Sequence, residues 1–540
     1  MNRHIGFFTA YQPHVELAQE GIGRLMVYII KGMIANGDRV TVLAPSWHRG
    51  GVKKLLKEFS LDRDVKVKTV RWHPPVMLIL YEIMYWLSRR QRKDDDDEEK
   101  ESFDFGKLLK YIVFSQLASY SFILFFIYLI LFIALFIALL PVFILYVVLA
   151  LGFKVLKILS QMKGFTFLSD RIGKYLSFVP RRLRSDSLVL GLLDAAREDE
   201  VTRMIRFVNK GNIDLWYVPN IFWKEVLKIK KKRVIVAPDV VYAEFPQLFY
   251  IDSVIQATSR TLDHILKTKP KVVCYSNHVK NRHLVQLRDF KPRSVTVIPH
   301  GAVDISEHLR MGLPPKEIIE IYLRKAIYDI PDPFANNAAN MNFAEGKFIL
   351  YSSQSRFHKN IVTLLRVLDR LLRREHINLK LVLTCDNLQY LKPHLEQLNL
   401  MREVVFMPRV PESVLAALNN LALLHVNPTL FEGGFPFTFS EAYSVGTPSV
   451  MSDIPVTREY VDDELAKVML FDPYDLDDIV AKVKWGLEHR DELLALEKPL
   501  FEKFASRTWD IVAEEYVNAM SYSYRRKLPK RKRKPWKKRS

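Results

Sequence analysis

A chain of 540 residues is too long for one compact core, and its 49% hydrophobic and 12% aromatic content excludes a mainly disordered protein. Its only cysteines, Cys274 and Cys385, exclude a disulfide scaffold, offer no metal-ligand spacing and suit a reducing compartment. The formal charge of +20 does not imply nucleic-acid binding by the folded part, because eleven basic residues and no acid lie between Arg525 and Ser540.

No signal peptide is expected at the start. Met1-Asn2-Arg3-His4 leads directly into the apolar run Ile5–Ala10, which is too short for a signal core and reads as a buried strand. Gly21–Ala35 has helical periodicity and stops near Asn36-Gly37, and Val40–Ala44 is a second β-rich run. Strand, loop, helix and strand in this order open a doubly wound α/β domain, expected over residues 1–88 and 190–300.

An insertion over residues 89–189 breaks the pattern. Arg89, Arg90, Arg92 and Lys93 precede six acids, Asp94 to Glu99, and no charged residue occurs from Tyr111 to Phe153. Six consecutive acids read as a solvated run rather than a metal site. One span needs about twenty apolar residues, so the uncharged stretch is long enough for two crossings. Basic residues on both flanks place both ends on the cytoplasmic side. A single crossing would also split one sheet across the membrane, because strand signals resume at Leu215–Val218 and Val234–Ala237. The expectation is therefore a helical hairpin over about residues 111–157, bent near Pro141.

Further strands are expected at Lys271–Tyr275 and Ser294–Ile298. Pro299-His300-Gly301-Ala302 then reads as the hinge into a second α/β domain over residues 301–505, reached through a polar, Pro-rich passage to about Glu345. That domain alternates strands at Phe348–Ser352, Leu379–Thr384, Val404–Met407, Leu423–Val426 and Ser449–Met451 with helices at Asn360–Arg374 and Pro411–Leu421. Two clusters stand at strand ends, where open α/β sheets bind ligands. In the first, Ser352 to Asn360 presents Arg356 and Lys359 ahead of a helix N-terminus, a seat for a diphosphate. In the second, Phe431-Glu432-Gly433-Gly434-Phe435-Pro436 leads into a helix read as starting near Thr438, which puts Glu441 in its first turn. Glycines allow close backbone approach, and paired carboxylates suit sugar hydroxyls. His300 reads as a hinge histidine with a structural hydrogen bond, and His425 as core.

These motifs resemble the retaining family 4 glycosyltransferases (glycosyl transferases group 1) of the GT-B fold, two Rossmann-like doubly wound domains facing a cleft. The resemblance rests on Glu432, Gly433-Gly434, Glu441 and Ser444-Val445-Gly446-Thr447-Pro448, and on the pair Arg356 and Lys359. Glu20-Gly21-Ile22-Gly23-Arg24 is similar to that family's N-terminal glycine loop, Pro299-His300-Gly301 to its inter-domain turn, and residues 506–524 to its returning C-terminal helix. The two glutamates stand nine positions apart where the family usually has eight, so an extra residue must be absorbed in the glycine turn.

The resemblance implies the following roles. Glu441 binds the ribose of a nucleotide sugar, and Glu432, with amides near Gly434 and Phe435, holds hydroxyls of the donor sugar. Arg356 and Lys359 neutralise the leaving diphosphate, with Gly21, Gly23 and Gly433 lining the donor. Configuration is retained, a leaving-phosphate oxygen takes the acceptor proton, and no metal or other cofactor is needed. The hairpin's position points to a glycan or lipid-linked acceptor, and the basic tail 525–540 to contact with an anionic leaflet. Two alternatives are a sugar phosphorylase of the same fold and a non-enzymatic membrane scaffold.

Overall fold

The computed structural model describes residues 3–11, 15, 17, 21–74, 126–131, 133–134, 137, 185–238, 241–245, 264–265, 267–268, 270–310, 312–326, 330, 334–385 and 388–522. Two parallel sheets organise it. The first contains β1 (His4–Phe8), β2 (Arg39–Leu43), β3 (Val65–Lys68), β4 (Leu215–Val218), β5 (Lys232–Val236), β6 (Val272–Cys274) and β7 (Val295–Val297), in the order β3-β2-β1-β4-β5-β6-β7. Ile5 lies opposite Val40 on one side and Leu215 on the other. The strand order reverses direction beside β1, which is the doubly wound pattern.

Alternation along β1 divides its side chains between two layers. Ile5 and Phe7 pack under the helices Gly21–Ala35 and Trp509–Tyr522 through Leu25, Ile29, Val512 and Tyr516. Phe8 faces the opposite layer, where Val201, Met204 and Val208 of the helix Ser185–Lys210 meet Trp216 and Val218. Coverage on both faces explains why these strands read as near-continuous apolar runs.

The second sheet contains β8 (Phe348–Tyr351), β9 (Lys380–Leu383), β10 (Val404–Phe406), β11 (Leu424–Asn427), β12 (Ser449–Ser452) and β13 (Leu470–Phe471), in the order β10-β9-β8-β11-β12-β13, again all parallel. The helix Ile361–Arg373 lays Leu364, Leu365, Leu368 and Leu371 against this sheet. Each such side chain contributes roughly 1.5–3 kcal/mol of burial free energy.

Two chain crossings join the domains, and they are bonded to one another. Arg507 Nη2 donates to Pro299 O at 3.1 Å, Ala302 N to Phe504 O at 3.1 Å, and Trp509 Nε1 to Ala302 O at 2.9 Å. A side chain on Gly301 would stand 2.3 Å from Arg507 O, so the hinge needs glycine there for space.

Several elements depart from the sequence reading. The polar passage before β8 contains the helices Pro315–Ala326 and Phe334–Ala339, which bury Ile319, Leu323, Phe334 and Ala338. The membrane hairpin expected over 111–157 falls mostly outside the described residues. Those described between 126 and 137 are helical, with Phe126, Ile130 and Leu131 more than half exposed. Among the described residues no helix is long and apolar enough to cross a membrane. The acidic run 94–99, Glu20 and the basic tail 525–540 also lie outside the described residues.

Candidate active site

The loop after β8 and the loop after β11 are laced together by backbone contacts. Leu430 N donates to His358 O at 2.7 Å, and Thr429 Oγ1 donates to the same carbonyl at 3.2 Å. A 3-10 turn over Phe357–Lys359 leads to Asn360 at φ 55°, a left-handed conformation that asparagine tolerates. Thr363 Oγ1 donates to the Asn360 side chain at 2.6 Å, fixing the entry into the helix Ile361–Arg373. This scaffold brings Lys359 Nζ to Glu432 Oε1 at 2.5 Å, with both side chains less than one-fifth exposed. Arg356 sits on the same loop but is exposed. A lysine ammonium has three donors, so pairing with Glu432 leaves it capacity for an anionic ligand.

The glycine turn is shaped by the opposite domain. Ser276 Oγ donates to Gly433 O at 2.9 Å across the cleft. A Cβ on Gly434 would lie 2.8 Å from Tyr275 Cβ and 2.9 Å from His300 Nε2, so close approach of the first domain excludes a side chain there. The Phe435 ring points into the second domain's core and stacks on Phe504, with centroids 4.6 Å apart. The following helix begins at Phe437, one residue earlier than the sequence reading, because Pro436 already sits at the cap with φ −62°. Glu441 is therefore its fifth residue and stands beyond the first turn. Its negative charge is balanced by a side chain instead of by the helix end.

That side chain is Arg24. Gly21 and Gly23 open the helix Gly21–Ala35, and a Cβ on Gly23 would meet Leu17 O at 1.9 Å, so the tight entry requires glycine. At the next residue, Arg24 Nη2 lies 2.7 Å from both Glu412 Oε1 and Glu441 Oε1. Tyr28 Oη also donates to Glu412 at 3.1 Å, and His308 Nε2 stands 3.5 Å from its other oxygen. Burial works against the Arg24 charge, but the two carboxylates outweigh it and hold the guanidinium protonated. Burial likewise raises the Glu412 carboxyl, and contacts from His308 and Arg24 overcome that and push it down to about 2. No local pattern marks this cluster, in which Arg24 and Glu412 are 388 residues apart in the chain.

A depressed carboxyl stabilises the folded state above its unfolded pKa and loses that contribution as pH falls through its folded pKa. The Arg24–Glu412 link is therefore complete above about pH 4.5 and vanishes on acidification toward about 2. In acid titrations followed by circular dichroism, wild type is expected to lose more stability across this window than Arg24→Ala. Identical acid profiles would show that the link contributes nothing.

His300 is held by packing. Its ring lies 4.3 Å from Tyr275 and 4.7 Å from Phe437, and its buried Nδ1 has no hydrogen-bond partner among the described residues, so packing takes the place of the expected structural hydrogen bond. Burial, reinforced by Arg507, pushes its pKa down to about 3, so it is neutral at pH 7. His425 is buried in β11 and neutral for the same reason, with Nε2 3.3 Å from Ser352 Oγ.

Comparison with known proteins gives consistent matches. Residues 335–498 match the family described as Glycosyl transferases group 1. An uncharacterized glycosyltransferase from Methanocaldococcus jannaschii is 28% identical over 180 residues, 32% of this chain and 44% of that protein; the chain thus matches less than half of this relative's length. Sucrose-phosphate synthase from Thermosynechococcus elongatus aligns at a TM-score of 0.52 and 13% identity, covering 96% of this chain and 99% of that one. Anabaena HepE in complex with UDP-glucose aligns at 0.54 and 12%, covering 96% and 99%. The structural likenesses establish a shared fold. The family match is confined to residues 335–498, in the second domain.

Proposed function

We propose that this chain is a retaining glycosyltransferase that moves a hexose from a nucleotide sugar to a glycan or lipid-linked acceptor at the membrane. The observation that carries the reading is the Lys359–Glu432 pair, held on two laced loops at the carboxyl ends of β8 and β11. Glu441 and the Gly21–Gly23 helix start face each other across the same cleft through Arg24. An ionised carboxylate accepts about four hydrogen bonds, so Glu441 can bind ribose hydroxyls while Arg24 stays engaged.

In this reading the bond between the sugar's anomeric carbon and the diphosphate oxygen breaks, and its electron pair leaves with the diphosphate. Lys359 and Arg356 neutralise the charge that develops there, the electrostatic stabilisation that dominates such steps. The acceptor hydroxyl oxygen bonds to the anomeric carbon on the face the diphosphate leaves, and its proton passes to a phosphate oxygen. Glu432, with backbone near Gly433, Gly434 and Phe435, holds sugar hydroxyls, and no metal takes part in neutralising the diphosphate. HepE was solved with UDP-glucose, which makes UDP-sugars the first donors to test.

The insertion supports a membrane-proximal acceptor in this reading. Phe126, Ile127, Ile130, Leu131, Ile133 and Ile137 are between 46% and 64% exposed, an apolar surface suited to lipid. With the uncharged stretch around them and the basic tail, they would hold both domains on the cytoplasmic face. Assays with a panel of nucleotide sugars on soluble and lipid-linked acceptors test the reading. Expected are nucleoside diphosphate release that depends on a lipid-linked acceptor and a product whose anomeric proton coupling matches the donor's. Turnover that consumes orthophosphate, or an inverted product, would contradict it.

A further inference from the structure

Three side chains outside the proposed donor site converge on the rim of the first sheet. Glu244 ends the short helix Val241–Glu244 after β5, and His278 and His283 follow β6. All three therefore hang from carboxyl ends of neighbouring parallel strands. The segment Val279–Gln286 is a π-helix, an uncommon form that recurs at functional sites. Its wider winding matters here, because residues five apart on an α-helix point about 140° away from each other. Here the rings of His278, which caps the segment, and His283 within it come within 5.0 Å.

The geometry is that of a small chelate. His283 Nε2 lies 2.7 Å and His278 Nε2 3.7 Å from Glu244 Oε1, and one ligand atom from each residue falls within 4.8 Å of the other two. Donor atoms around one tetrahedral zinc, at bonds of about 2.0–2.1 Å, stand roughly 3.3 Å apart, between the two observed spacings. Two imidazoles and one carboxylate form a set that zinc uses with a fourth position left for water. The His283 side chain is fully buried and its ring stacks on Phe431, with centroids 5.5 Å apart. Its Nδ1 has no hydrogen-bond partner among the described residues, so Nε2 carries the proton donated to Glu244, and zinc binding at Nε2 would replace that hydrogen bond and move the proton to Nδ1. The backbone is braced from the other domain, where the Glu459 carboxylate accepts from Asn277 N at 2.9 Å and His278 N at 2.6 Å.

We propose that Glu244, His278 and His283 bind one zinc ion at the seam between the domains. The ion would lock the π-helix to the end of the Val241–Glu244 helix and set His283 against Phe431, the residue before Glu432. The site is separate from the proposed chemistry on the diphosphate, and its test does not depend on that reading.

The experiment uses the tag-free full-length chain, stripped with a chelator and titrated with zinc against a chromophoric competitor. Wild type is expected to take up one zinc per chain, at least tenfold more tightly than His278→Ala or Glu244→Gln. Both positions are partly solvent-exposed, and circular dichroism checks that the variants remain folded. Cobalt substitution should give the visible absorption of a tetrahedral ion in wild type and not in either variant. Zinc should also raise the melting midpoint of wild type alone. Failure of wild type to bind zinc, or equal binding by wild type and both variants, would overturn the proposal and leave the trio a hydrogen-bonded cluster.

Discussion

Replacing Lys359 with alanine is expected to lower turnover about 10²–10³-fold, the effect of deleting one preorganised donor to a developing anion. The loss should be larger in kcat than in KM, because the diphosphate, already anionic in the bound donor, gains a further negative charge as the glycosidic bond breaks. Glu432 shares this lysine and would be left without it in Lys359→Ala. The double variant Lys359→Ala/Glu432→Ala separates the two roles. If the lysine acts only by orienting Glu432, the double variant equals Glu432→Ala alone. If it acts on the diphosphate, the double variant is slower than either single one. Steady-state kinetics on the three proteins distinguishes these outcomes.

The second large effect concerns the contact that joins the C-terminal helix to the first domain. A Cβ on Gly32 would stand 1.9 Å from Trp509 O and 2.4 Å from its carbonyl carbon. Both obstacles are backbone, so relief requires the two helices to separate. Separation would disturb the Trp509 ring stacked 5.0 Å from Tyr28, and also the bond from Asn36 Nδ2 to Asp510 O at 2.8 Å. Gly32→Ala is expected to cost about 3 kcal/mol or more, the upper range for overpacking. Gly50→Ala supplies the contrast: among the described residues nothing lies within 4 Å of its added Cβ, and the residue sits in the helix Arg49–Glu58. That change should be neutral or stabilising by up to about 1 kcal/mol, since alanine favours helix over glycine. Denaturant titration compares the two, and equal stabilities would refute the packing argument.

These predictions draw on features that differ in how far the sequence betrays them. The parallel sheets were legible because their strands are covered on both faces and read as apolar runs. Leu215–Val218 and the helix Gly21–Ala35 fall where periodicity places them. Edge elements were not legible. β3 is Val-Lys-Val-Lys, whose lysines belong to a strand with a single neighbour. β13 is two residues long, below any periodicity. The helix Pro315–Ala326 was hidden in a stretch that reads as polar because Ile319 and Leu323 are its only buried side chains.

Within the site, the local motifs were legible and the pairings between them were not. Lys359 and Glu432 belong to separate strand-end loops, and only the sheet order, with β8 beside β11, brings those loops together. The position of Glu441 turned on one residue: a helix beginning at Phe437 instead of Thr438 removes it from the first turn. Arg24 then supplies the balancing charge from the other domain, a contact that no spacing in the chain encodes. The His278–His283 pair was invisible for a different reason, because five-residue spacing does not face one side of an α-helix, and the π-helix that starts after His278 brings the two rings together.

The most direct measurement is calorimetric titration of wild type and Glu441→Ala with UDP-, GDP- and ADP-sugars. One class of nucleotide sugar should bind wild type at one site per chain and bind Glu441→Ala at least tenfold more weakly. Absence of binding by every member, or equal affinity in the two proteins, would contradict a donor site built around Glu441.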